Sequence, residues 1–468
     1  MWNSGKIAQV LGGKLYGSEE VPFQGCVLDS RQVREGEVFV AIQGEKTDGH
    51  IYIRHAFEAG AGIVLAETAR LEELGLPETP ENKALISVRN STAALQALAK
   101  AWRKEIKPLV VGITGSSGKT TTKDMVAAVL AQKYRIHKSR ENHNNELGLP
   151  LTILSAPRET EAMVLEMGMR GLGQIAALCE ICSPSIGVIT NIGNTHLELL
   201  GSQEKIAEAK WELIASLPEE GTAVLNAEDF FSIEKAKKTV IKKVFYGIEG
   251  RYVQPDVYGE KLQVSGFLKT IFEANAYTEK TKIILPLPGK HNVLDALAAL
   301  AVGLSCGVSL EQASLALERF ELSKMRLEIF PGVAGSIVIS DVYNANPASM
   351  KASLQVLSER GGSKTIAVLG EMYELGDAAI SGHREVGQLA SILKISELVT
   401  VGKLAEDIAR GAMQAGLPAE RIHVCGNCDQ AAFLTRRLLE EIGPDAWILV
   451  KGSRGMKMER VSQQLVRR

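Results

Sequence analysis

The sequence predicts an α/β protein of three domains. These are a smaller α/β domain over residues 1–107, a central P-loop parallel-sheet domain over 108–319 and a Rossmann-like domain over 320–468. Three observations carry this. The chain has 468 residues, roughly three times the ~150 that one core commonly organises. The apolar runs LVVGIT, AMVLEMG and SIGVITN are too hydrophobic for one-faced strands and fit a parallel sheet covered on both sides. Helical segments separate them, and such alternation is the pattern of a doubly wound sheet.

Composition narrows the partners before any motif is read. Hydrophobic residues form 45% and charged residues 23% of the chain, as in an ordinary globular protein. With 53 basic against 55 acidic residues the formal charge is −2, so no nucleic-acid partner is expected, and a local basic pocket for a phosphorylated small molecule stays open. The start, MWNSGKIAQVLGGKLYG, lacks a signal peptide's apolar stretch, and no later segment approaches about 18 unbroken apolar residues. A cytoplasmic chain without membrane insertion is the expectation. Two cysteine pairs, Cys179/Cys182 and Cys425/Cys428, have CxxC spacing that could hold zinc. They fall in different predicted domains, and buried small hydrophobes are the plainer reading.

Each block then reads in order. The first has short strands in GCVLDSR, GEVFVAIQG and GIVLAE and closes on the helix STAALQALAKAWRKEI, where Leu95, Leu98, Trp102 and Ile106 recur at helical spacing. Pro108 ends it. The second adds the strand TAVLN, has the look of antiparallel strands between about 240 and 286, and closes on HNVLDALAALAVGL. The third alternates through SIVISDVYNANP, KTIAVLGEM, LVTVGKLAEDIA and AWILVKGSRG. Sheets of this kind take ligands at the carboxyl ends of their strands.

The strand LVVGIT runs into a glycine-rich turn and a helix. A strict GxxxxGK[ST] loop needs glycine at 113, where this chain has Ile113; what stands is Gly115, Ser116, Ser117, Gly118, Lys119, Thr120 and Thr121. Gly118 lets the backbone approach phosphate oxygens, and successive amides at a helix start favour the anion. Lys119 would neutralise the β and γ phosphates of a nucleotide, and Thr120 would offer a hydroxyl to magnesium. A plain Gly/Ser turn is the alternative, and the strand before and regular helix after favour phosphate.

Further candidates follow in chain order. Glu166 ends AMVLEMG, Asn191 and His196 follow SIGVITN, Arg326 lies in SKMRLEIF and Asp341 in ISDVYNANPASM. Singly, each has a plainer reading: a helix cap for Glu166, a satisfied loop histidine for His196, a surface pair for Arg326. In SQEKIAEAKWELIASLP, Lys210 falls on the face set by Ile206, Leu213, Ile214 and Leu217. A helical lysine commonly snorkels to water; one turned inward loses its charge by desolvation and becomes a reactive amine. In NANPASM, Asn346 can cap the helix that Pro347 begins, leaving Asn344 to face a site.

The shortened loop with these motifs in this order resembles the Mur ligase superfamily of peptidoglycan synthesis, whose relatives include the folylpolyglutamate synthetases. The likeness runs from about residue 26 to 460. It implies that the central domain is an ATPase domain working with ATP and two Mg2+ ions. Metal contacts would come from Thr120, Glu166, His196 and Lys210, the last carbamylated by carbon dioxide. The catalytic set would be Lys119, Glu166, His196, Lys210 and Arg326, with nucleotide contacts from loop residues 115–121, Asn292, Asp295, Arg326 and Asp341. At 295 the family pattern has asparagine; Asp295 keeps the acceptor oxygen and loses the amide donor.

The segment around LDSRQVREG resembles the family's uridine-nucleotide-binding domain, which implies Ser30 and Arg31 as contacts. Substrate contacts are likewise implied at Asn142, Asn145, Asn344, Asn346, Lys451 and Ser453. DVYNANPASM, LGEMYELG and VKGSRGMKME resemble the members that add D-alanyl-D-alanine to UDP-N-acetylmuramoyl-tripeptide through an acyl phosphate, giving the UDP-pentapeptide precursor of peptidoglycan. A monomer is expected. Two alternatives stay open: a relative that adds the third residue of the peptide, and a nucleotide-dependent switch, which the phosphate loop alone would permit.

Overall fold

A computed structural model describes residues 2–45, 47–75, 77–140, 143–265 and 269–467, so Asn142 lies outside the described residues. Three sheets follow one another along the chain. The first has five strands in the order Lys14–Gly17, Ala84–Val88, Ile63–Glu67, Val38–Val40 and Cys26–Val27, parallel except for the antiparallel first strand. Sequence reasoning finds three of these. It passes over Ala84–Val88, whose five residues are all buried and show no alternation, and Lys14–Gly17, four residues long beside glycines.

The helix Ser91–Ile106, capped by the Asn90 side chain on the Ala93 amide, links the first sheet to the second. Its inner residues Leu95, Leu98 and Trp102 are buried as the spacing predicts. The Trp102 indole packs against Trp2 and Phe23, with centroids 5.3 and 5.4 Å away, and donates to the Ala156 carbonyl of the central domain. One apolar cluster therefore runs from Ile86 through Leu98 to Leu149 and Leu178.

The central sheet has nine strands in the order Glu279–Leu285, Lys269–Ala276, Val257–Ser265, Lys242–Gly247, Thr222–Asn226, Ile186–Ile189, Leu109–Thr114, Ala162–Glu166 and Ile136–Lys138. The segment expected to be antiparallel is so from Val257 onward, whereas Lys242–Gly247 pairs parallel with its neighbours. These strands continue the parallel sheet at its edge. Helices Lys119–Leu130 and Lys290–Ser305 pack together, close enough that a side chain at Gly303 would meet Val129 at 2.5 Å.

The third sheet runs Glu328–Pro331, Ile337–Asp341, Trp447–Lys451, Thr365–Gly370, Glu397–Val401 and Ile422–Cys425, with only the first strand antiparallel. Its register sets Asp341 directly beside Lys451. Cys179 and Cys182 are buried on the central helix Gln174–Cys182, and Cys425 and Cys428 are buried in the third domain, so the two pairs pack as apolar residues in separate cores. Among the described residues no helix is long and apolar enough to cross a membrane.

Candidate active site

The strand Leu109–Thr114 lies between Ala162–Glu166 and Ile186–Ile189, where the strand order reverses; a crevice opens at such a point beyond the strand ends. The turn that follows is built by two glycines in left-handed backbone. At Gly115 (φ +156°) a Cβ would lie 1.8 Å from Thr190 Oγ1, and at Gly118 (φ +79°) 2.5 Å from Asp295 Oδ1. The neighbouring loop holds the turn in shape. Thr190 Oγ1 donates to the Ser117 carbonyl at 2.6 Å, the Ser117 amide donates to Asn191 Oδ1 at 3.1 Å, and the Gly193 amide donates to Ser116 Oγ at 2.8 Å. Lys119 donates to the Gly115 carbonyl at 2.7 Å, and burial pulls its pKa down against the attraction of Glu166. Thr121, one residue past Thr120, is buried and lines the same crevice.

Residues from three parts of the chain meet at Thr120. Its hydroxyl donates to Glu166 Oε2 at 2.7 Å and accepts from Arg326 Nη2 at 2.9 Å. Asn144 Nδ2 holds the other oxygen of Glu166 at 2.9 Å. Arg326 arrives from the connection into the third domain, flanked by Met325 and Leu327 with φ of +67° and +42°, and its guanidinium lies 4.1 Å from the centre of the Tyr343 ring. Both sides of that connection are fastened: the Ser323 amide donates to Asp124 Oδ2 of the central domain, and the Tyr343 amide to the Met325 carbonyl. Two non-glycine residues of unfavourable backbone, one on each side of Arg326, mark a conformation imposed by its surroundings.

Lys210 does turn inward. It sits on the helix Gln203–Ala215, only 2% exposed, lines the same crevice, and its ammonium makes no hydrogen bond among the described residues. Burial first, and then the Lys119 charge, hold its pKa well below the ordinary lysine range, with Asp229 opposing. Burial raises Asp229 in turn. His196 (φ +65°) begins the short helix Leu197–Leu200 and places Nδ1 3.0 Å from Glu374 Oε2 of the third domain, too oblique for a hydrogen bond. Contact with this imidazole holds Glu374 below the usual carboxylate range.

The third domain forms the facing wall. Lys451, 2% exposed, binds Asp341 Oδ2 and the Asn344 carbonyl, and Ser353 Oγ donates to the same Asp341 oxygen at 2.8 Å. Burial alone would raise Asp341, but the ammonium beside it wins and keeps it ionised. Lys451 therefore stiffens the wall with its charge already paired. Asn346 caps Pro347–Gly361 in a reciprocal box with Ser349, as the motif predicts, and Asn344 is left exposed at the crevice. Ser453 Oγ accepts from the Tyr373 amide at 2.9 Å, which ties the turn after Trp447–Lys451 to the loop after Thr365–Gly370.

The crevice encloses about 1110 Å³, and the loop residues 115–121, Glu166, His196, Lys210, Arg326, Asp341, Asn344, Asn346, Lys451 and Ser453 all line it. Asn292 and Asp295 line it too, but their polar groups are turned elsewhere. Asn292 Nδ2 donates to the Pro288 carbonyl at 2.6 Å, and Asp295 accepts from Thr122 Oγ1 at 2.9 Å beneath the glycine-rich turn, where burial pushes its pKa up to about 7. Asn145 lines it while its Oδ1 accepts from the Gly148 amide at 2.8 Å, at the start of Gly148–Leu154. Ser30 and Arg31 are not brought into this lining: Ser30 is buried and Arg31, 82% exposed, pairs with Asp29. Sequence reasoning misses Asn144, Thr190 and Glu374. Asn144 stands between Asn142 and Asn145 in the sequence, and only a three-dimensional position singles it out. Glu374 lies within a quoted motif, yet nothing in its spacing points to a carboxylate.

Comparison with known proteins agrees with this geometry. Family models match along the chain: "Mur ligase family, catalytic domain" over 22–103, "Mur ligase middle domain" over 113–303 and "Mur ligase, glutamate ligase domain" over 325–454. The UDP-N-acetylmuramoyl-tripeptide–D-alanyl-D-alanine ligase of Bacillus subtilis strain 168 is 38% identical, covering 98% of this chain and 97% of the relative. The solved structure of MurF from Acinetobacter baumannii superposes with a TM-score of 0.87 at 29% identity, covering 99% of this chain and 98% of that one. MurF ligase from Thermotoga maritima, solved in complex with ADP, superposes at 0.80 and 29% identity over 94% and 96% of the two chains. With its turn, its carboxylate and its arginine arranged as above, the chain belongs to the Mur ligase family.

Proposed function

We propose that this chain is an ATP-dependent ligase that joins D-alanyl-D-alanine to UDP-N-acetylmuramoyl-tripeptide, yielding the UDP-pentapeptide precursor of peptidoglycan. The observation that carries the reading is the meeting of Thr120, Glu166 and Arg326, at 2.7 and 2.9 Å, from the phosphate loop, the next strand and the third domain. Full-length relatives bearing that ligase name support the choice of substrates. The reaction belongs in the cytoplasm, and the chain works as a monomer.

The chemistry follows from the acceptor. A peptide carboxylate is resonance-stabilised and anionic, so an amine does not attack it. Its oxygen takes the γ phosphoryl group of ATP, ADP departs, and the resulting acyl phosphate is a competent electrophile. The free amine of the dipeptide then adds to that carbonyl carbon, and phosphate leaves from the tetrahedral intermediate with an amide in place. Bringing two anions together is opposed by charge, which Lys119 and Arg326 offset from opposite domains. Asp341 and Asn344 complete the nucleotide and dipeptide wall from the third domain. Ser30 and Arg31, on the first domain, are proposed to hold the uridine diphosphate end, so that inert parts of a large substrate help place its reactive end.

Magnesium fits the donors present. The Thr120 hydroxyl and Glu166 carboxylate are hard oxygen donors at the mouth of the loop, and bound Mg2+ would neutralise phosphate charge there. A second ion would use His196 and Lys210. An ammonium cannot ligate a cation, but a neutral amine adds to carbon dioxide, loses a proton and becomes a carbamate carboxylate. The buried, unpartnered Lys210 suits that conversion.

ADP release measured with alternative amines tests the substrate assignment. With UDP-N-acetylmuramoyl-tripeptide, release should depend on D-alanyl-D-alanine, with no turnover of a diamino acid on the UDP-dipeptide. The reverse pattern would assign the chain to the relative adding the third residue, and release indifferent to any amine would describe a switch.

A further inference from the structure

We propose that Glu374 is the group that receives the ammonium of the incoming amino substrate. The inference rests on the ligase reading above and adds a specificity residue to it. Four observations lead to it. Glu374 reaches the crevice from the third domain, and its carboxylate is 44% exposed there. Its partners are both on the central domain: His196, whose Nδ1 approaches obliquely at 3.0 Å, and Arg170 at 4.0 Å.

Three of the other four carboxylates lining the crevice are committed. Glu166 accepts from Thr120 and Asn144, Asp295 from Thr122, and Asp341 from Lys451 and Ser353. The fourth, Glu146, stands on the central domain, across the crevice from the wall that carries Glu374; the Gln96 amide binds its backbone carbonyl and leaves its carboxylate out.

The backbone is the third observation. Glu374 has φ +63°, a conformation costly for a residue with a Cβ, and strain of this kind persists where the surroundings impose it. The surroundings are visible. Buried His383 accepts the Met372 amide on Nε2 at 3.0 Å while Nδ1 faces the Ala379 carbonyl, Ser453 Oγ accepts the Tyr373 amide, and the Ser453 amide donates to the Glu371 carbonyl. A loop pinned at three successive residues presents the fourth.

The last observation is charge complementarity. The loop of Glu374 and the turn carrying Ser453 and Arg454 touch, since a side chain at Gly455 would meet the Tyr373 ring at 2.8 Å. One wall thus sets the Glu374 carboxylate near a turn carrying the Arg454 guanidinium, which is half exposed although it also pairs with Glu459 at 3.1 Å; a zwitterionic dipeptide presents the opposite charges. A charge-assisted contact to an ammonium is among the stronger polar contacts available.

The test is Glu374→Gln, with Glu374→Asp as the conservative variant. Glu374→Gln should raise the KM for D-alanyl-D-alanine about tenfold or more, well beyond any change in the KM for ATP or the UDP-tripeptide. Hydroxylamine, an uncharged nucleophile at neutral pH, should trap the acyl phosphate without needing the carboxylate. The ratio of dipeptide-supported to hydroxylamine-supported ADP release should therefore fall about tenfold in Glu374→Gln and recover in part in Glu374→Asp. An equal loss with both nucleophiles, or a parallel rise in the KM for ATP, would overturn the proposal and make Glu374 a clasp on His196. Wild-type ADP release that ignores the dipeptide would instead overturn the ligase reading, and this proposal with it, before any variant is made.

Discussion

Asp295 shows how much one atom's environment decides. Its carboxylate lies under the glycine-rich turn, accepts from Thr122, and is pushed up to about 7 by burial. A folded-state pKa above the unfolded value means the native protein holds a proton that the unfolded chain has released. Stability therefore falls as pH rises from about 4 to about 7 and then levels off. Asp295→Asn keeps the acceptor for Thr122 and removes the titration. Thermal unfolding should show the variant gaining about 2 kcal/mol more over the wild type at pH 8 than at pH 5. An identical gain at both pH values would mean that this carboxyl does not titrate as described. From sequence, the aspartate could be read only as a lost amide donor. Its partner, Thr122, lies 173 positions away, and no local pattern joins the two. Asn346 was legible for the opposite reason: a cap, its proline and its box partner all lie within four residues.

At the scale of elements, periodicity carries most of the information. The inward face of Gln203–Ala215 was readable from Ile206, Leu213 and Ile214, and Lys210 proves to be buried among them. Lys210→Met keeps the apolar stem and removes the amine. It should lower kcat for ADP release by about a hundredfold or more, the scale expected for losing a metal-ion contribution, without lowering the unfolding temperature. The wild type should slow in carbon dioxide-free buffer and recover with bicarbonate, and full activity of either protein under those conditions would refute the carbamate. Elements without a period were harder to read. Lys14–Gly17 is too short to show one, Ala84–Val88 is buried on both faces and does not alternate, and Lys242–Gly247 resembles the antiparallel strands after it in composition although it pairs parallel. Direction of pairing is set by the partner strand, which a single segment does not encode.

Across the whole molecule, the third domain completes a site that the central domain begins. Arg326 crosses to Thr120, Glu374 crosses to His196, and the connection between the domains is fastened on one side by Asp124 and on the other by Tyr343. Chain order revealed that these motifs belong together; it could not reveal that Lys451 would spend its charge on Asp341, because that pairing comes from the register of two strands 110 residues apart. Nor does the crevice lining reach Ser30 and Arg31, so the first domain's part in binding stands on resemblance alone. The central claim concerns the path of one phosphoryl group. UDP-tripeptide labelled with oxygen-18 in its terminal carboxylate, incubated with ATP and D-alanyl-D-alanine, tests it directly by mass spectrometry of the phosphate released. Transfer through an acyl phosphate predicts one labelled oxygen in each phosphate formed with amide; unlabelled phosphate accompanying amide formation would contradict it.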